Sequence, residues 1–360
     1  MHDLQRLTTT VQRNCHISDA HFAGHYTLCV FLLKMREYYR WEKGIPLSHP
    51  LPKQAVGEWL TAREQAWDQL ESATFEPLRF SGQEFDPFDN QGINRLLNPA
   101  GYVYSGGYGL FQKPCFFLGK LDRHETRYGT TLLVSSQEYA RDLMAPPAMF
   151  LDDTIYIRQE SLRRLIWEKI EEWGFKKDTD TPMARALACY AQEDMETTLD
   201  HITSHEMESV VLHETGEAMA RRQLGPEWEA LLDSLPRSRA ELLVRAVRDH
   251  LADCLSTLPS LVATGNNAAL HFYFANFSGM RRELFPQALS AYEDWLESGS
   301  LEPLENAYLA GQRYWLQIAQ DILALYRNGV EPLDKAIEQR CVPTPASDTH
   351  TGEHGERTGI

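Results

Sequence analysis

Apolar positions fall every third or fourth residue over the first and last parts of this chain. Between them they give way to short β-branched and aromatic runs. In the first part, Ser18 or Asp19 is placed to cap a helix that reaches about Lys43, where Gly44 offers a left-handed stop and Pro46 follows. Pro52 suits the first turn of a second helix, along which Val56, Trp59, Leu60, Trp67 and Leu70 keep the helical period. A connection this short predicts an antiparallel pair.

From about residue 99 the texture changes. Gly101, Gly106, Gly107 and Gly109 stand among Tyr102, Tyr104 and Tyr108, and Cys115–Leu121, Thr130–Ser135 and Thr154–Ile157 are rich in strand formers. Asp122–Gly129 reads as a polar connection, with Asp122 to Glu125 as a solvated turn, so three or four antiparallel strands are expected. The glycines match neither G-x-x-x-x-G-K-[ST] nor a G-x-G-x-x-G that leads into a helix, which excludes a nucleotide loop.

Beyond residue 159 the helical spacing returns. Glu160–Trp173 should stop at Gly174, Thr181-Pro182 should open a helix, and the pattern continues through Gln223 to Gly225-Pro226. Ser238-x-x-Glu241 is a capping box for a helix toward Leu258, Asn266 or Asn267 caps another, and Pro286–Glu297 and Glu302–Arg327 complete the set. The expected architecture is α+β, mainly α, with a small antiparallel sheet between two helical regions. It divides into a helical region at 1–98, the sheet at 99–158, a helical bundle at 159–340 and a disordered tail at 341–360.

Charge narrows the function. Lys and Arg total 35 against 51 Asp and Glu, a net of −16, which argues against neutralising phosphates or docking on anionic lipid. No run approaches the roughly 18 apolar residues of a membrane span, and Met1–Cys15 lacks the apolar core of an export signal. The 6 cysteines stand far apart with no C-x-x-C, as suits free thiols in the cytoplasm. A small molecule or a protein is therefore the expected partner, with no nucleic acid and no membrane.

One helix concentrates the chemistry. Met195, Leu199, Ile202, Glu206, Val210, His213 and Glu217 follow one another at steps of three and four and share a face that begins apolar. A carboxylate turned inward loses its hydration and calls for a cation, which a metal or an arginine such as Arg245 or Arg248 would supply. His213 to Glu217 also reads HExxE and resembles the HExxH helix of zinc metalloproteases. That resemblance makes His213 and Glu217 ligands and Glu214 the general base, with Glu standing where the second His belongs.

His250 and Asp253 share a face of the following helix, so Glu206, His213, Glu217, His250 and Asp253 form a candidate metal set. Two helices that contribute Glu and His resemble the carboxylate-bridged di-metal bundles, although the spacings differ, and N/O donors suit Zn, Fe or Mn. His21, His25 and Cys29 form a second stripe, with a core or interface role as the simpler reading. His271 heads an aromatic run, Phe272 to Phe277, that is expected to pack the bundle, and Arg281-Arg282 either holds an anion or balances the acid surface.

Several segments are similar to an uncharacterised family of bacterial proteins. They are Asn14 to Ala20, Arg36 to Glu42, Ala145 to Met149, Trp167 to Lys169, His213 to Glu217 and Phe272 to Arg282. The similarity spans most of residues 10 to 330 and implies one continuous protein without an assigned activity. Two functions follow from the residues. One is a metal-dependent hydrolase or oxidase in the C-terminal bundle; the alternative is a non-enzymatic binding or scaffold protein with structurally buried His–carboxylate pairs.

Overall fold

The computed structural model describes residues 2–341 apart from 110–111, 177–179, 191–193 and 237; the side chains of 175 and 176 are also left aside. The chain adopts the mainly α, α+β architecture that its pattern predicts. The expected tail falls, beyond Cys341, outside the described residues.

The N-terminal helices differ from expectation. Helix α1 spans His2–Phe22, a single tight turn covers Ala23–His25, and α2 spans Leu28–Lys43. Ser18 and Asp19 do not cap anything; they are buried inside α1. Asp19 instead accepts from Lys113 Nζ at 2.6 Å and from the Leu143 N–H at 3.0 Å, which ties α1 to the sheet. Gly44 does end α2, at φ 61°, a left-handed conformation that costs glycine nothing. Helix α3, Lys53–Asp68, packs on α2, with Trp59 Nε1 donating to Glu42 at 3.0 Å.

A hairpin of β1 (Leu78–Phe80) and β2 (Gln83–Phe85) and helix α4 (Asn90–Leu97) precede the main sheet. That sheet holds β3 (Tyr102–Tyr108), β4 (Pro114–Arg127), β5 (Thr130–Arg141), β6 (Ala148–Leu151) and β7 (Thr154–Arg158), in the order β3-β4-β5-β7-β6. All neighbours are antiparallel except β5 and β7, where Val134 stands opposite Ile157. Asp122 to Arg127 continue β4 rather than forming a solvated turn, because their side chains alternate between half-buried and exposed as an edge-wetted strand requires.

Glu138 on β5 is held by Arg158 Nε and Nη2 at 3.0 and 2.8 Å and by Ser161 Oγ at 2.6 Å. Loss of the arginine would leave a buried charge unpaired, at about 3–5 kcal/mol.

The C-terminal part is helical throughout. It comprises α5 (Gln159–Lys176), α6 (Pro182–Ala188), α7 (Met195–Leu224), α8 (Pro226–Ser234) and α9 (Arg239–Ala252). A π-helical turn, Asp253–Thr257, leads into α10 (Leu258–Thr264), followed by α11 (Asn267–Ala275) and α12 (Met280–Leu284). Helices α13 (Pro286–Ser298), α14 (Glu302–Arg327) and α15 (Leu333–Cys341) close the bundle. Thr181, Ser238 and Asn266 each accept a backbone N–H as N-caps, whereas Gly174 does not stop α5.

Trp228, Trp315, Leu251 and Ile318 centre the bundle core. A smaller apolar cluster joins the two halves: Leu132, Val134, Ile155 and Ile157 of the sheet pack on Val211 of α7, flanked by Met207 and Val210. Burial of that surface draws α7 against the sheet. Among the described residues no helix is long and apolar enough to cross a membrane, and all 6 cysteines are free.

Candidate active site

Helix α7 can meet the end of α9 closely because Gly216 has no side chain. A Cβ there would lie 2.3 Å from the Ala252 carbonyl oxygen. Nearby on the same helix, His213 Nδ1–H donates to Asp253 Oδ1 at 2.8 Å. Asp253 opens the π-turn, a local widening of the helix that recurs at functional sites. Its carboxylate also accepts from Thr257 Oγ1 at 3.2 Å, from the Tyr273 hydroxyl at 2.9 Å and from Arg281 Nη2. The other imidazole nitrogen, Nε2, lies 3.5 Å from Glu217 Oε1, and Glu217 pairs in turn with Arg248 at 3.2 Å.

The charges are strongly coupled. Burial pulls the His213 imidazole down, but the Glu217, Glu214 and Asp249 carboxylates outweigh it and raise its pKa above 6.5. Burial pushes Glu214 up to about 7, helped by Glu217. Glu217 goes the other way, to about 2, because Arg248 and His213 overcome its burial. Glu206, two turns before His213, is pushed to about 8 by burial, only partly offset by the Ser209 and Tyr190 hydroxyls.

These groups open into a cavity of about 270 Å³. Leu162, Leu165 and Ile166 of α5, Val210 of α7 and Phe272 of α11 form its apolar wall, and Pro147 and Ala148 close it from the sheet side. Glu206, His213, Glu214, Asp253, Tyr273 and Arg281 supply the polar part. An apolar cleft with a few convergent polar groups of shifted pKa is the usual form of a small-molecule site.

The structure thus brings together Glu206, His213, Glu214 and Asp253, with Glu217 beside them. It does not bring His250. That imidazole is fully buried on the other side of α9, stacked on Trp315 at 4.6 Å between centroids and edged by Phe277 and Phe285. Burial and Arg281 lower its pKa to about 3, so it is a neutral packing group. Three residues along α9 leave the two side chains about 60° apart, enough for His250 to face Trp315 of α14 while Asp253 faces His213 of α7.

The His21, His25 and Cys29 stripe is also broken. The three residues fall in α1, in the turn and in α2, and all are exposed. His271 is buried and meets the Tyr292 hydroxyl at 2.9 Å, as a packing residue should.

The donors do not fit a metal as they stand. Arg281 and Arg248 already neutralise Asp253 and Glu217, and Asp253 has both oxygens committed to other partners. Among the described residues no three His, Cys, Asp or Glu side chains converge as a metal set. Arg281, Tyr273 and Thr257 were not anticipated as partners of Asp253. Tyr273 and Arg281 reach it from 20 and 28 residues away, where no spacing rule applies, whereas Thr257, four residues on, stands at a helical spacing that could have shown it. Arg248 was anticipated as a counter-ion and is one.

Residues 6–158 match the N-terminal domain of a family of unknown function, DUF6866, and residues 163–343 match its C-terminal domain. No curated protein and no solved structure matches the chain. The two matches follow one another in order and meet where β7 passes into α5, so the seam between them runs beside the cavity. The chain belongs to the DUF6866 family.

Proposed function

We propose that the cavity between α5, α7 and α11 is the active site of a hydrolase for a small, largely apolar molecule, working by acid–base chemistry. One observation carries the reading: the His213–Asp253 hydrogen bond lies in the wall of an apolar cavity. Asp253 orients the imidazole through Nδ1–H, Nε2 takes a proton from water, and Glu217, 3.5 Å from Nε2, stabilises the imidazolium that forms. Arg281 Nε has no acceptor among the described residues and is a donor for developing negative charge on the substrate. Glu214, with a pKa near 7, exchanges protons with the pair.

The metal-dependent hydrolase or oxidase expected from the sequence places the same residues around a cation, and the arginine pairings favour the metal-free form. Those pairings also give the scaffold alternative its one support, since they satisfy Asp253 and Glu217 without any ligand.

The test is hydrolysis of p-nitrophenyl hexanoate. The wild type should exceed the buffer rate, with an acid limb set by His213 protonation, and His213→Ala should lose about 100-fold and the limb. EDTA should leave the rate unchanged. Equal rates in the wild type and His213→Ala would support the scaffold, and a rate abolished by EDTA and restored by Zn would support the metal form.

A further inference from the structure

Six carboxylates in the described chain are buried: Asp19, Glu37, Glu138, Asp142, Glu206 and Asp253. Asp19 has Lys113, Glu37 has Arg36, Glu138 has Arg158 and Asp253 has Arg281. Asp142 accepts the backbone N–H groups of Phe116 and Ala145 at 3.1 and 2.8 Å. Glu206 is the exception among the described residues. It is 2% exposed, its Oε1 has no hydrogen-bond partner, and no lysine or arginine pairs with it. It lines the same cavity as Asp253 but, unlike Asp253, is paired with no arginine.

A fold that gives its other buried acids a cation or backbone donors leaves one carboxyl facing empty space. Alone, such a carboxyl keeps its proton; an incoming cation lets it ionise, because the ion pair offsets the cost of burying the charge. We infer that the cavity takes an aliphatic amine, with the ammonium on Glu206, the chain along Leu162, Ile166, Val210 and Phe272, and the far end at His213. Seven residues separate Glu206 from His213 on α7, a rise of about 10 Å, which matches a chain of roughly six to eight carbons. The inference rests on the cavity being a ligand site, as proposed above, and adds the class of ligand. Lys169 also lines the cavity and is paired with Glu172 at 3.9 Å rather than with Glu206.

The experiment is a chemical-shift titration of the full chain at pH 7 with n-hexylamine, 1-hexanol and hexanoate, followed on the methyl groups of Ile166 and Ala148. Hexylamine should bind at least tenfold more tightly than the other two, and Glu206→Gln should abolish the preference. Hexanol or hexanoate binding as tightly as hexylamine would overturn the inference and leave the ligand site standing. Binding of none of the three would overturn both. The probe comparison on the wild type decides the matter even where Glu206→Gln fails to fold.

Discussion

A carboxyl with a pKa near 8 keeps its proton at pH 7, and Glu206 therefore differs in kind from Glu217, which burial alone would have made its twin. The difference is the Arg248 guanidinium. Linkage gives the consequence its sign. Between about pH 4.5 and 8 the folded chain holds a Glu206 proton that the unfolded chain has lost, so stability falls as pH rises through that window. At about 1.4 kcal/mol per unit the loss is on the order of 4 kcal/mol by pH 8.5. Glu206→Gln should thus melt close to the wild type at pH 5 and several degrees higher at pH 8.5. A melting-temperature gap that stays flat with pH would show that the carboxyl is ionised in the fold. At this scale much of the site was legible. Glu206, His213 and Glu217 share a face because 3.6-residue periodicity is a local rule. His250 was misplaced because a three-residue spacing leaves about 60° between side chains, which packing on Trp315 exploits, and Tyr273 and Arg281 are joined to Asp253 only by tertiary packing.

Between elements, the contact of α7 with the end of α9 decides whether His213 and Asp253 meet. Gly216→Ala sets two effects against each other. Helix propensity favours alanine by about 1 kcal/mol, whereas a Cβ placed 2.3 Å from a backbone oxygen forces the helices apart, at about 1–3 kcal/mol or more. The oxygen belongs to main chain and cannot swing away, so the clash should win. Urea denaturation should show Gly216→Ala destabilised by about 1–2 kcal/mol, and p-nitrophenyl hexanoate turnover should fall with it. A stabilised variant would mean that the helices do not approach this closely. The helix ends themselves were legible from Gly44, Thr181, Ser238 and Asn266, since a cap is a local hydrogen bond or a local φ. The break after Phe22 and the second half of β4 were not. Both are fixed by what lies across the sheet: Lys113 and Leu143 for α1, and Thr131 to Val134 of β5 for β4.

The molecule as a whole is built across a seam. The N-terminal match ends at residue 158, yet Ile155 and Ile157 complete their burial only against α7 of the other match. Residues 1–158 expressed alone should expose that strip, bind a hydrophobic dye and self-associate in gel filtration; co-expression with 163–341 should restore a dye-silent complex. A monomeric, dye-silent 1–158 would show that the sheet is complete without α7. The net charge of −16, first a reason to set nucleic acid aside, takes on a second meaning here. Four of the six buried acids are neutralised by lysine or arginine inside the fold, so the surplus lies mainly on the surface, with Asp142 and Glu206 the buried exceptions among the described residues.

The π-turn at Asp253–Thr257 can be viewed as a phase shift of one residue in an otherwise continuous helix. Up to Asp253 the helix is indexed to the tryptophan that stacks on His250 and to the histidine of α7, and beyond the turn to the bundle core through Leu261. A relative one residue shorter between Asp253 and Leu258 would have a single index and could keep the contact with α7 only by turning Leu261 off the core. An acid at 253 followed by this segment length is therefore the mark by which members of the family that carry this site can be told from those that do not.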